Sequence, residues 1–289
     1  MKVFFSALLG LLVWLPGACA QMLVEVTIDQ GQFLPGEALP VAVRVTNRSG
    51  QMVQLGDEVD WLTFSVESRD SFVVSKNGEV PVLEAFKLDT AKVATKRVDL
   101  APYFALTRPG RYRIVATVRI KAWSAQIASP PKDFDIIEGA KLWTREFGVP
   151  AAPGLNQPPE LRRYTLLQAN YLRSELRLYL RLSDVAGSRL FKVFPLGQMV
   201  SFGRPESEVD GRSQLHVLHQ NGARTSLYTV INPDGEVVIR KLYDYLETRP
   251  KLQLDREGNI SVAGGVHRPT RDDLPVEKAS EVEPKPIKP

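Results

Sequence analysis

Residues 214–265 read QLHVLHQNGARTSLYTVINPDGEVVIRKLYDYLETRPKLQLDREGNISVAGG, with short apolar-polar alternations cut at Asn221-Gly222, Pro233-Asp234-Gly235 and Glu257-Gly258-Asn259. Asn-Gly and Asp-Gly are strong short-range hairpin signals, because both residue types reach positive φ at little cost. The stretch therefore predicts a compact antiparallel meander. Two of its pieces echo each other, PDGEVVI at 233–239 and REGNISV at 256–262. Such an echo invites a β-propeller, whose blades run to roughly 40–45 residues. Residues 161–265 hold two blades at most, whereas propellers typically need about four or more. A small sandwich or an open barrel remains.

Upstream, residues 164–184 read YTLLQANYLRSELRLYLRLSD. Leu176, Leu178, Leu180 and Leu182 alternate with Arg177, Tyr179 and Arg181, the period of a strand with one buried face. Leu172, Leu176 and Tyr179 also fit helical spacing, but four consecutive alternations favour the strand. Residues 189–196, RLFKVFPL, predict another strand, followed by a short apolar piece at 200–202 and a loop from 205 to 211. Before this unit, residues 149–160 carry four prolines and predict a semi-rigid extended linker, since proline donates to no ladder. Residues 123–160 read as less regular, with Pro130-Pro131 among them. After Gly265 the chain turns proline-rich and charged with few large apolar residues, so 266–289 is expected to be a disordered tail.

Residues 21–148 show strand patterning and no helical period. Val24, Val26 and Ile28 alternate with polar residues, as do Val41, Val43 and Val45; Leu62, Phe64 and Val66 open a further strand after Trp61. Turns are expected at 33–37 (FLPGE), 47–50 (NRSG) and 76–79 (KNGE). The sum is an all-β sandwich. Pro35-Gly36-Glu37 before a strand, Asn47 closing it, and Leu106-x-x-Pro109-Gly110-x-Tyr112 opening a late strand resemble a bacterial immunoglobulin-like β-sandwich domain. The resemblance implies that Tyr112 packs at the sheet corner and bonds back to backbone; the cysteine pair of antibody domains is missing. Asn47 and the strand after it also resemble small bacterial proteinase-inhibitor sandwiches, without an inhibitory loop that matches residue by residue.

The chain has 289 residues, room for two ordinary domains. Its first 20 residues have the form of a secretory signal peptide: Lys2, an apolar run at 3–15, and Ala18-Cys19-Ala20 as a small-x-small cleavage site. Residues 15–19 (LPGAC) loosely resemble a lipoprotein box, but Pro16 stands where that pattern wants Leu. No later apolar run approaches the roughly 20 residues that span a bilayer. Cys19 is the single cysteine, which suits a bacterial periplasm or exterior and excludes thiol catalysis and thiolate metal sites. A net charge of +4 falls short of the basic density of a nucleic-acid binder.

The candidate chemistry is thin. His216 and His219 tempt as zinc ligands, yet residues three apart on a strand face opposite sides, and His267 lies at the tail junction. Glu206, Glu208 and Asp210 share one polar segment, with Asp234 and Asp255 at later turns; a glycosidase would need two of them about 5–10 Å apart. Asp255, Glu257 and Asn259 offer oxygens without an EF-hand pattern. Asn232-Pro233-Asp234-Gly235 lacks the form of a sialidase Asp-box, and Asn47-Arg48-Ser49 is a glycosylation sequon that reads more simply as a turn. No nucleophile elbow, phosphate loop or dinucleotide fingerprint occurs. Arg162, Arg163, Arg173, Arg177, Arg181 and Arg189 concentrate around the first strands of the second unit. Arg177, Tyr179 and Arg181 share one strand face, and guanidinium with aromatic groups there would bind an anionic glycan or a protein.

The sequence thus predicts an exported, non-catalytic binding or scaffolding protein of a bacterial cell envelope, periplasmic or extracellular. No cofactor, metal or nucleic acid is expected; the expected partner is a protein or an anionic envelope polymer. A secreted hydrolase using loop carboxylates and a proteinase-inhibitor-like sandwich are the alternatives.

Overall fold

The glycines and short polar residues that punctuate the chain become the turns of an all-β protein. Its computed structural model describes residues 22–149 and 160–275. The expected signal peptide, most of the proline-rich stretch and the end of the tail lie outside the described residues.

In the first unit, β1 (Met22–Ile28), β3 (Pro40–Asn47) and β7 (Val93–Asp99) form one antiparallel sheet. The facing sheet runs β2 (Gln32–Phe33), β10 (Lys132–Ile136), β8 (Gly110–Ile120) and β5 (Leu62–Ser68), with β9 (Ala125–Ala128) also on β8. β4 (Val53–Leu55) and β6 (Phe86–Leu88) pair separately. Val24, Val41, Val43, Ile114, Ala116 and Val118 stand at alternate positions and are buried between the sheets. Tyr112 is fully buried, stacks on Phe134 at 5.4 Å, and donates its hydroxyl to the Arg108 carbonyl at 2.6 Å. Asn47 is equally buried; its amide donates to the carbonyls of Gln51 and Leu88, as its turn reading requires.

The second unit is two sheets packed face to face, and neither closes into a barrel. One runs β11 (Ala140–Val149), β12 (Glu160–Tyr171), β13 (Glu175–Asp184) and β14 (Leu190–Gln198). The other runs β15 (Glu206–Val209), β16 (Leu215–Gly222), β17 (Thr225–Ile231), β18 (Val237–Asp244) and β21 (Val266–Arg268), with β19 (Lys251–Leu254) and β20 (Ile260–Ala263) as a separate hairpin. Leu166, Leu178, Leu180 and Leu182 of the first sheet meet Leu215, Val217 and Ile231 of the second. The predicted turns at Gly235 and Gly258 form, at φ of 75° and 84°, whereas Asn221 and Gly222 end β16 and the chain turns at Ala223-Arg224 instead.

Several expectations are corrected. Residues 123–160, read as less regular, contain β9, β10 and β11. β11 pairs along its length with β12, so the expected linker at 149–160 is flanked by neighbouring strands of one sheet, and the passage between units is 137–139. The expected loop at 205–211 contains β15, which pairs with β16. The expected tail begins with β21 on the edge of β18, and Leu274 bridges Arg240. In each case pairing with another strand overrode weak local patterning.

Candidate functional site

The site is built on the outer face of the sheet formed by β11–β14. Register places Tyr179 beside Leu167, Arg177 beside Ala169, and Arg181 beside Thr165 and Val193. The expected exposed face of β13 is therefore real as a face but is not exposed. Leu34 of the first unit lies fully buried against Leu167, Ala169, Tyr179 and Val193, with Ile137 alongside. Burying one leucine side chain stabilises by about 2 kcal/mol.

The turn that delivers Leu34 is locked from within. Gly36 takes φ of 82°, and a Cβ there would sit 2.0 Å from Leu190 Cδ2, so glycine alone lets the turn lie against β14. The Leu34 amide donates to the Glu37 carboxylate at 2.8 Å, the Gln30 amide donates to it at 2.7 Å, and the Glu37 amide donates to the Leu34 carbonyl. Burial pushes the Glu37 carboxyl above its ordinary value, although those donors pull the other way.

Leu34 divides the outer face into two ends. At one end Arg177 stacks over Tyr171 at 3.5 Å and donates to Glu175 at 2.6 Å, so its charge is spoken for. Tyr179 is completely buried, its hydroxyl has no hydrogen-bond partner, and burial pushes its pKa up to about 12. At the other end lies a cleft of about 730 Å³ between the units, walled by Pro35, Gly36 and Thr107 on one side. Lys141, Thr144, Glu146, Arg163, Thr165 and Arg181 form its floor.

Charge is unevenly satisfied in that cleft. Arg163 donates to Glu146 at 2.7 Å, and those two cancel. Arg181 has a buried Nε without a partner, and burial alone holds its guanidinium below the usual value, with no carboxylate contributing. Lys141 joins it without an ion pair among the described residues. A half-buried guanidinium left unpaired costs stability, and its planar fork suits carboxylate or phosphate oxygens. The arrangement can take an anion.

Of the three residues singled out from sequence, only Arg181 reaches this cleft. Arg177 is paired and Tyr179 is interior. Lys141 and Thr144 were missed because β11 carries a register shift between Lys141 and Trp143 that breaks its alternation. Among the other arginines, Arg162 is held by Glu160 and Asp234, and Arg189 lies over Phe191 at 4.8 Å.

The remaining candidates are structural. His216 and His219 occupy opposite faces of β16. His216 contacts the Tyr228 hydroxyl at 2.7 Å and Asp210 at 3.2 Å. His219 is nearly inaccessible and meets the Gln198 carbonyl at 3.2 Å, and burial pushes it down to about 4. His267 pairs with Asp273 at 2.7 Å. No group of three or more His, Cys, Asp or Glu that could hold a metal ion occurs among the described residues. Glu206 accepts the Leu252 amide, Asp210 accepts the Arg212 and Gln214 amides, and Asp255 accepts the Glu257 and Asn259 amides. No helix among the described residues is long and apolar enough to cross a membrane.

No protein-family model matches the chain, and no curated protein matches it. Among solved structures, the crystal structure of Spo0M, a sporulation control protein from Bacillus subtilis, is similar over 86% of this chain and 91% of that one, at 9% identity and a TM-score of 0.32. A likeness that shallow carries no functional argument.

Proposed function

We propose that this is an exported, non-catalytic binding protein of a bacterial cell envelope, and that it takes an anionic group in the cleft at Arg181. The observation that carries the reading is the unpaired guanidinium of Arg181, held with Lys141 in a cleft at the junction of the two units. Export rests on the signal-like first 20 residues. The first unit is read as an immunoglobulin-like sandwich, supported by the Tyr112 hydroxyl bonding back to Arg108, as a tyrosine corner does. Glu206, Asp210, Asp234 and Asp255, four of the carboxylates that a hydrolase would use, are instead occupied by backbone amides and an ion pair, which favours binding over turnover.

The test is retention on an immobilised anionic polymer at low salt, with Arg181→Met against Arg177→Met. A charge-assisted hydrogen bond is worth about 1.5–3 kcal/mol, so Arg181→Met should weaken binding about tenfold or more, and Arg177→Met should do little. Retention untouched by Arg181→Met removes the reading.

A further inference from the structure

The cleft at Arg181 has a neighbour. A second groove of about 710 Å³ lies on the other side of Gly36 and Leu190, which line both spaces. Its walls are largely apolar, Ala101 and Pro102 of the first unit and Phe191, Val193, Phe194 and Val237 of the second, with Lys192 as its cation. Its one carboxylate, Asp99, accepts the Leu39 and Ala101 amides at 2.7 and 3.0 Å. The two spaces are parted by Leu190, which packs on Gly36 and is exposed on its outer side. A cationic, hydroxyl-lined space and an apolar space thus meet across one leucine.

We propose that the ligand is an anionic amphiphile: its head group sits on Arg181 and Lys141, and its hydrocarbon chain crosses Leu190 into the groove beside Phe191 and Phe194. This rests on the anion-binding reading of the Arg181 cleft and adds the chemistry of the rest of the ligand. Two features select a chain over a peptide strand. β14 is the outer strand of its sheet, but Pro195 within it offers no amide to an added strand. The apolar walls of the groove present few polar partners for a peptide backbone, which demands them. Both spaces have the volume of ordinary small-molecule pockets, on the order of 300–1,000 Å³.

The experiment is calorimetric titration of the protein with three probes: inorganic phosphate, monomeric dodecyl phosphate and dodecyl maltoside. Dodecyl phosphate should bind about tenfold or more tighter than inorganic phosphate, since chain burial adds to head-group binding. Dodecyl maltoside should bind far more weakly than dodecyl phosphate. Arg181→Met should weaken dodecyl phosphate about tenfold. Ala38 is exposed and lines the groove, so Ala38→Trp fills it from outside with little risk to the fold. That variant should abolish the gain from the chain while leaving phosphate binding unchanged; Ala38→Ser, with thermal melts on both, controls for folding. Equal affinity for the two phosphates overturns the amphiphile and leaves the anion site standing; equal affinity for maltoside and dodecyl phosphate overturns the placement of the head group on Arg181 and Lys141. Binding of neither phosphate, or binding indifferent to Arg181→Met, overturns both.

Discussion

The sheet formed by β11–β14 has two faces, and they are made differently. Its inner face is mostly aliphatic: Leu166, Leu178, Leu180 and Leu182 pack against the other sheet, and its one buried phenol, Tyr164, donates to the Ser213 and Asn232 carbonyls. Its outer face mixes an apolar centre with arginines and hydroxyls, and it is covered by a turn from another unit. The inner face needs only volume and periodicity to form. The outer face needs a partner of matching shape, and where the match ends a charged group is left over. Uniform faces make folds; imperfectly covered ones make sites.

The difference can be broken first on the inner side. Leu180→Ala should destabilise by about 4 kcal/mol, read by denaturant unfolding, because it opens a cavity in a fully buried seam. Loss of under about 1 kcal/mol would mean that the seam repacks freely. Leu34→Ala should cost about 3 kcal/mol and should also let the units melt in separate steps, since Leu34 belongs to the seam between them. A single unchanged transition would show that the units are held elsewhere.

The two sides also titrate in opposite senses. His219 lies on the inner side with a folded pKa of about 4, below its ordinary value of 6.5. Its contribution is therefore present above pH 6.5 and is lost as pH falls toward 4, by roughly 3 kcal/mol at about 1.36 kcal/mol per unit. His219→Gln should flatten unfolding free energy across that window. Glu37, on the outer side, is held above its ordinary value by burial. The protonated carboxyl is favoured there, so docking of the turn tightens as pH falls and weakens as pH rises through the folded value. Glu37→Gln should remove this smaller, opposite slope. Smallest is the contrast between the two arginines on one strand. Arg177→Met should destabilise by about 1 kcal/mol through the lost ion pair and stack, whereas Arg181→Met should be neutral or slightly stabilising in the absence of ligand.

Much of this was legible in the residues. Pro233-Asp234-Gly235 and Glu257-Gly258-Asn259 specify hairpins through backbone preference, Asn221-Gly222 marks one that turns two residues later, and Leu176–Leu182 alternation specifies a strand. Those are local signals, and they survive into the structure. Arg181 was visible as a candidate but for an incomplete reason: alternation says which residues share a face and is silent on what covers that face. Tyr179 shows the cost, since a phenol on a polar-looking face turned out to be completely buried. β11 was hidden by its register shift, and β21 by its brevity, because three residues make no periodicity. The cleft itself joins Thr107 to Arg181, and no local pattern encodes such a pairing.

The turn at 33–37 has a further consequence, in time rather than in space. Gln32 accepts the amide of Leu172, a residue 140 positions later in the chain. At synthesis rates of about 5–20 residues per second, the turn waits roughly 7–30 s for the surface it docks on. Throughout that interval Leu34 is an apolar side chain without the surface that buries it. Whatever shields nascent chains therefore has a client segment here, at Leu34, and a moment of release, when β12 and β13 have formed their hairpin.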